Sequence, residues 1–241
     1  MRIALFGGSF DPPHSGHIGI AMAAVERLHL DRVLMAPVGR QPLKRDQAQS
    51  PYEDRMAMVQ LACAGHPPLV ASAIDAPQPD GRYNYTYDTL QRLRETLSAG
   101  DKLFCLVGAD SLQTLHHWHR AAEALILAEW IVAARPGFIP EASEEALEEA
   151  LETLLPAGVH SSQPERGEGW LRLRLTGPSM APSESGNSRQ GRLWLLPDLH
   201  YDVSATDLRA ALADESAGIP QRVLDPRVAE YAREHGLYDR T

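Results

Sequence analysis

From Gly7 to His17 the chain reads Gly-Gly-Ser-Phe-Asp-Pro-Pro-His-Ser-Gly-His, directly after the strand-like run Arg2 to Phe6. These residue types in this order describe a place to hold phosphates. Gly7 and Gly8 let the backbone approach an anion with no Cβ in the way. A helix starting near Gly16 would point its free N–H groups, and with them partial positive charge, at the same spot. His14 and His17 can donate to that anion. On their own the two histidines read as solvent residues at a strand-turn-helix corner, but the full string is far more restrictive. It is neither a Walker A loop nor a dinucleotide fingerprint, because neither Gly-Lys-Ser/Thr nor Gly-x-Gly-x-x-Gly follows a strand anywhere in the chain.

A second segment with the same chemistry lies near the C-terminus, where Leu199 to Arg209 reads Leu-His-Tyr-Asp-Val-Ser-Ala-Thr-Asp-Leu-Arg. Ser204 and Thr206 at a helix start, with Arg209 one turn further along, offer hydroxyls, N–H groups and a fixed charge to a polyphosphate. In isolation this is a capped surface helix with an exposed arginine.

The intervening chain alternates strand-like and helical patterns. Ile18, Ala21, Met22, Val25 and Leu28 keep helical spacing, predicting an amphipathic helix from Gly16 to about Leu28. Val33 to Ala36 is the second strand. Ser50-Pro51-Tyr52-Glu53 reads as a capping box with proline at the first helical position, and Gly65 as the stop. A third strand, Leu69 to Ile74, leads to a helix with Leu90, Leu93 and Leu97 on one face. Leu103 to Val107 and Trp130 to Ala134 are continuous apolar runs, as expected of parallel strands buried on both faces. This order predicts an α/β, Rossmann-like, doubly wound parallel sheet with helices on both faces and a small C-terminal helical segment. Ligands in such sheets sit at the carboxyl ends of the strands. Gly7-Gly8, Gly108-Ala109-Asp110-Ser111 and Arg135-Pro136-Gly137 each follow a strand directly.

At 241 residues and 44% hydrophobic content the chain can bury a sizeable core. We expect one domain over 1–241 with an insertion at about 138–192. The net charge of −9 argues against a nucleic-acid or membrane-surface binder, so a phosphate ligand must be met by local positive charge. Cys63 and Cys105 lie in apolar runs without metal-like spacing and read as small buried hydrophobes. With neither a signal-peptide pattern nor an apolar run approaching about 20 residues, a cytoplasmic location is the expectation. Within the insertion, the glutamates from Glu141 to Glu152, with an apolar stripe at Ala146, Leu147, Leu151 and Leu154, read as a solvated outer helix. Leu171 to Leu175 alternates as a half-buried strand, and the Pro, Ser and Gly-rich stretch from Gly177 to Gly191 reads as a mobile surface loop.

The first string resembles the signature of the nucleotidyltransferases that move an adenylyl or cytidylyl group from a nucleoside triphosphate to a phosphate ester. Within them it looks most like nicotinate-nucleotide adenylyltransferase. Gly108-Ala109-Asp110-Ser111-Leu112, followed by Leu115 and Trp118, resembles that family's nucleotide-contact loop and aromatic platform. Tyr85 to Leu90 resembles the segment flanking its pyridine-nucleotide pocket, and Ser204, Thr206 and Arg209 match its second signature. The resemblance implies transfer of AMP from ATP to nicotinate mononucleotide, giving nicotinate adenine dinucleotide and pyrophosphate, with Mg²⁺ bound mainly through the ATP phosphates. It implies His14, His17 and Arg209 as catalytic residues, and Gly7, Gly8, Ser9, Phe10, Gly108, Asp110, Ser204 and Thr206 as the ATP contacts. Lys44, Thr86, Trp118 and His119 would bind the mononucleotide, the tryptophan stacking on the ring while backbone N–H groups near Thr86 and after Trp118 take its carboxylate. Read bare, Trp118 is a core or rim aromatic and Asp110 an N-cap.

Two positions depart from the family pattern. Ala205 stands where the second signature usually has serine, and Leu43 stands where the substrate loop usually has histidine, with Arg40 and Arg45 as further sources of charge there. Two other readings therefore stay open: transfer to nicotinamide mononucleotide or another phosphate ester, and a non-catalytic nucleotide-binding regulator. Whether the chain forms a homo-oligomer is not readable from the sequence.

Overall fold

The computed structural model describes residues 1–44, 49–134, 144–177, 191–199, 201, 203–214 and 218–239. The chain forms two compact units, one of Met1–Leu5, Glu26–Asp31 and Tyr85–His200, the other of Phe6–Val25, Arg32–Asn84 and Tyr201–Thr241.

In the second unit, strand β1 (Arg2–Gly8) ends, helix α1 (Ser15–Leu28) begins, and β2 (Arg32–Pro37), α2 (Tyr52–Cys63) and β3 (Leu69–Ala71) follow. The strand order is β3-β2-β1, and β2 pairs with β3 in parallel with Val33 opposite Leu69. The glycine pair lies inside β1 rather than after it. The reversal falls at Phe10, which takes a positive φ of 49° with its ring fully buried. β3 is shorter than expected because a 3-10 turn, Ala73–Asp75, capped by the Ser72 hydroxyl, takes over its second half. The expected capping box is not formed. Pro51 occupies the N-cap of α2 without a side-chain cap bond, and the Ser50 N–H donates to Asp11 instead. Helices α7 (Ala205–Leu212) and α8 (Pro226–Glu234) are the C-terminal helical segment. Asp225 caps α8, Pro226 opens it and Gly236 (φ 57°) ends it. Met58 and Ala62 of α2 pack with Leu208 and Leu212 of α7 and with Leu224, Val228 and Ala232 in one apolar cluster.

The first unit holds α3 (Thr86–Thr96), β4 (Lys102–Gly108), α4 (Ala109–Gln113), α5 (Ala121–Leu127), β5 (Glu129–Ala133), α6 (Glu144–Leu154), β6 (His160–Ser161), β7 (Glu165–Gly167), β8 (Trp170–Thr176) and β9 (Gly191–Leu196). Its strand order is β1-β4-β5-β9-β8, with β6 and β7 both on β8. β4, β5 and β9 are parallel and almost wholly buried, as their continuous apolar runs require. The chain thus moves outward from β1 in two directions, to β2 and β3 and to β4, β5 and β9, the order of the expected Rossmann-like α/β fold. The sheet is not parallel throughout, however: β8 runs antiparallel to β9, and β6 and β7 antiparallel to β8. β8 alternates buried leucines with more exposed arginines, the pattern of a strand wet on one face. Glu129 ties β5 to β9, its two carboxylate oxygens accepting from Arg192 and from the Trp194 indole, each at 2.8 Å. In α6, Leu147 and Leu151 are buried while Glu149 and Glu152 are exposed, as the apolar stripe predicts. Cys63 and Cys105 are buried thiols, not joined by a disulfide. The stretches Arg135 to Gly137 and Pro178 to Gln190, with Glu141 and Arg45, lie outside the described residues.

Candidate functional site

Two sets of candidate residues are brought together, one in each unit. In the second unit the signature loop and the start of α1 fold against each other. The His14 N–H donates to His17 Nδ1 at 3.2 Å, and the two rings lie 3.8 Å apart. That bond makes Nδ1 of His17 the unprotonated nitrogen and leaves Nε2 to carry the ring proton, a neutral donor. Burial lowers the His14 imidazole to about 4, so it too is neutral near pH 7, and its Nδ1 is buried with no hydrogen-bond partner. Phe10 supports His17 from below, edge to face at 5.0 Å. Its own ring is buried, so only its backbone can meet a ligand. A Cβ on Gly8 would lie 3.2 Å from the Phe10 ring, a tight approach that would press on the ring, whereas a Cβ on Gly7 or Gly108 would meet nothing within 4 Å. The Ser9 hydroxyl is held by Gln41 and Gln49, each at 3.1 Å.

The second signature reaches the first across 198 positions: Arg209 NH1 donates to the carbonyl of Asp11 at 2.8 Å, and its NH2 to Thr206 Oγ1 at 3.1 Å. Ser204 is the N-cap of α7, its hydroxyl accepting from the Asp207 N–H. The bare reading of a capped helix with an exposed arginine is half right: the cap is real, but Arg209 is half-buried against the first signature. Tyr201 locks the approach to α7 onto α1, where a Cβ on Gly19 would fall 2.2 Å from the Tyr201 ring.

Two residues that hold this loop, Asp11 and Arg55, were given no role in the sequence reading. Asp11 is 5% exposed; its carboxylate accepts from the Tyr238 hydroxyl at 2.7 Å and the Ser50 N–H at 3.0 Å. Arg55 is buried, its guanidinium donating to the carbonyls of Ser50, Ser9 and Val38 at 2.9–3.0 Å. Burial lowers its pKa, and the negative charge of Asp11 works against that shift. The signal for Arg55 was its place on the buried face of α2, in line with Met58, Val59 and Ala62.

In the first unit, Trp118 is half-buried at the rim. Its indole N–H donates to Thr114 at 3.3 Å and its ring meets buried Trp130 edge to face at 5.8 Å. The exposed His119 ring lies 4.4 Å from Tyr85, the N-cap of α3, whose first residue is Thr86. The next residue, Arg120, takes a left-handed φ of 52°, lies 3.9 Å over the Tyr87 ring and is paired with Glu123. Trp118, His119 and Thr86 are thus held in one neighbourhood. Gly108 is the N-cap of α4 and Asp110 lies inside that short helix, so Asp110 is not the cap that its position after a strand suggests.

Lys44 closes a 3-10 turn, Pro42–Lys44, and its side chain lies outside the described residues. Leu43 beside it is 51% exposed. Arg40 is occupied locally, its guanidinium donating to the Gly81 carbonyl at 2.6 Å and lying over the Tyr83 ring.

Residues 5–211 match the family model described as cytidylyltransferase-like. The chain is 37% identical over 238 residues to the "Probable nicotinate-nucleotide adenylyltransferase" of Pseudomonas fluorescens, covering 98% of this chain and 97% of that one. To its namesake in a Roseiflexus species it is 35% identical over 237 residues, with the same coverage. The chain belongs to the nicotinate-nucleotide adenylyltransferase family. Its fold is also that of the Plasmodium falciparum nicotinic acid mononucleotide adenylyltransferase complexed with NaAD, with a TM-score of 0.66 at 14% identity, 98% of this chain and 97% of that one being covered. As a member of this family the chain is a nucleotidyltransferase, and the two signature segments read from its sequence are the ones that Arg209 and Asp11 join.

Proposed function

We propose that this enzyme transfers AMP from ATP to nicotinate mononucleotide, giving nicotinate adenine dinucleotide and pyrophosphate in NAD biosynthesis, and that it works in the cytoplasm. The observation that carries the reading is the meeting of the two signature segments, Arg209 of one donating to the Asp11 carbonyl of the other, three residues before His14. A phosphate oxygen of the mononucleotide attacks the α-phosphorus of ATP, and the bond from that phosphorus to the bridging oxygen breaks as pyrophosphate leaves. The nucleophile is already an anion, so no side chain need take a proton. Catalysis then rests on in-line alignment and on donors aimed at the developing charge.

In this reading His17, protonated on Nε2, and His14 donate to the triphosphate, while Arg209, Ser204 and Thr206 take its β and γ groups. Gly7, Gly8, Ser9 and the Phe10 backbone line the nucleotide, a Cβ at Gly7 meeting nothing within 4 Å, and Gly108 contributes a further contact. Asp110 takes sugar hydroxyls. Trp118 stacks on the pyridine ring, the N–H groups of Thr86 and His119 take its carboxylate, and Lys44 takes the acceptor phosphate. Among the described residues no group of three or more His, Cys, Asp or Glu is placed to hold a metal ion, and the carboxylate of the signature loop is taken up by Tyr238 and Ser50. A Mg²⁺ ion would be held mainly through the ATP phosphates. When bound, it offsets triphosphate charge.

A second reading, transfer to a different phosphate ester, rests on exposed Leu43 in place of the usual histidine. Pyrophosphate release from ATP across a panel of phosphate-ester acceptors tests both. The first requires nicotinate mononucleotide to lead the panel, and failure of every acceptor to give release would leave only a nucleotide-binding protein.

A further inference from the structure

We propose that Asp11 and Tyr238 are positioning residues for the transfer, holding Arg209 where its charge stays available to the triphosphate. The proposal rests on the reading of Arg209 as a phosphate-binding residue. Asp11 makes its carboxylate contacts away from Arg209, with Tyr238 and with Ser50, and offers the arginine only its backbone carbonyl. That distinction matters chemically. A carboxylate paired with Arg209 would compete with the incoming anion for the guanidinium, whereas a neutral carbonyl and the Thr206 hydroxyl fix its direction and leave the net charge unspent. The nearby positive charge is that of Arg55, whose guanidinium donates to three carbonyls around the loop and whose pKa the Asp11 charge raises against burial.

Tyr238 reaches this hub from the far end of the chain by a defined turn. Gly236 in the left-handed region ends α8, the Leu237 N–H closes back on the Ala232 carbonyl at 3.0 Å, and the tyrosine is delivered to Asp11 over 227 positions. Its burial beside a carboxylate pushes the phenol pKa far up, so it remains a donor at every working pH. The same helix supplies an internal control: Tyr231 donates to Asp54 at 2.9 Å, an equivalent hydroxyl-to-carboxylate bond that ends on α2 instead of the signature loop.

The test is a double-mutant cycle in the whole enzyme. Tyr238→Phe keeps the ring and removes one donor; it should lower kcat about tenfold, a typical loss for one hydrogen bond to a charged group, with KM for the mononucleotide nearly unchanged. In an Arg209→Lys background the same change should lower kcat by less than about twofold, because the group being positioned is gone. Tyr231→Phe should leave kcat unchanged. The proposal is overturned if the Tyr238→Phe and Arg209→Lys effects multiply, if Tyr238→Phe turns over normally, or if Tyr231→Phe is equally slow, which would make helix docking the cause. Repeating the cycle on ATP affinity by calorimetry needs no acceptor. A wild-type enzyme inactive with nicotinate mononucleotide would refute the acceptor assignment, while non-additive ATP affinities would still support the positioning role and additive ones would still overturn it.

Discussion

In the unit that carries the two signatures, the candidate site is tied together over 39 positions from Ser50 to Asp11, 46 from Arg55 to Ser9, 198 from Arg209 to Asp11 and 227 from Tyr238 to Asp11. In the unit that carries Trp118, the hydrogen bonds of the aromatic shelf are local, Trp118 to Thr114 four positions away and Arg120 to Glu123 three away, and its longer reach, to Tyr85, Tyr87 and Trp130, is made by ring contacts. The first arrangement exists only when the whole unit is folded, and in the proposed reading it fixes donors that must be in place as charge moves. The second is held mainly by ring packing, and a stacking surface tolerates small displacements. Changes in the first should therefore appear in kcat, and changes in the second in the KM of one substrate.

The largest effect should follow from His17→Ala. If its Nε2 proton meets charge that develops only in the transition state, kcat should fall by about 10²-fold or more with little change in thermal stability. Steady-state kinetics beside a melting curve decide this, and a folded variant with near-normal turnover would erase the contrast between the units. Trp118→Ala probes the other side. It should raise KM for the mononucleotide strongly, leave KM for ATP within a few fold, and keep most of the preference for nicotinate over nicotinamide, because stacking does not read the substituent. That preference is assigned to the N–H groups of Thr86 and His119, to which a carboxylate offers acceptors while an amide also brings donors of its own. Wild-type enzyme equally fast with both mononucleotides would remove the acceptor assignment and leave the ATP side intact.

What was legible in the sequence follows the same division. Runs of one residue class, such as Leu103 to Val107 or the alternation from Leu171 to Leu175, announce strands because burial on two faces or one leaves a period in the sequence. The order of the signatures and of the aromatic shelf was readable too. What escaped was set by contacts distant in sequence. Ser50 looked like a helix cap, but its N–H is used by Asp11, a partner no local window contains. The left-handed residue of the signature turn is Phe10 rather than a neighbouring glycine, its ring held by packing on Phe6 and His17. Arg55 drew no reading from the sequence, and only the three carbonyls gathered around it explain its burial. The antiparallel arm escaped in part, because a pattern of alternation gives a strand but not its direction.

A smaller effect separates His14 from the rest of its unit. Folded, it takes a proton only near pH 4; unfolded, near 6.5. Between those values the unfolded chain binds more protons, so this contribution to stability is present above pH 6.5 and is lost as pH falls toward 4, on the order of 3 kcal/mol in all. Urea unfolding of the ligand-free protein from pH 7 to 4.5 should show wild type losing more stability than His14→Gln. Parallel curves would mean that His14 is solvated and that its neutral state is not enforced by burial.

The smallest effect is expected in the first unit, in a segment that carries none of the candidate residues. Leu175 of β8 lies opposite Gly191 of β9 in the antiparallel register, so the chain leaves and re-enters the sheet at the same end of one strand pair. Closing that gap needs only a short hairpin connection, and loop-closure entropy changes by about 0.6 kcal/mol for each doubling of loop length. The stretch from Pro178 to Gln190 contains few large apolar residues whose burial could be lost. Replacing it with a short Gly/Ser linker should therefore leave the melting temperature nearly unchanged, because β8 and β9 keep their pairing and Glu129 keeps its bonds to Arg192 and Trp194. A large drop in melting temperature would show that the replaced residues pack on the unit. Unchanged stability with lost turnover would instead give this segment a part in the reaction, and the division between a catalytic unit and a substrate-holding unit would have to be redrawn.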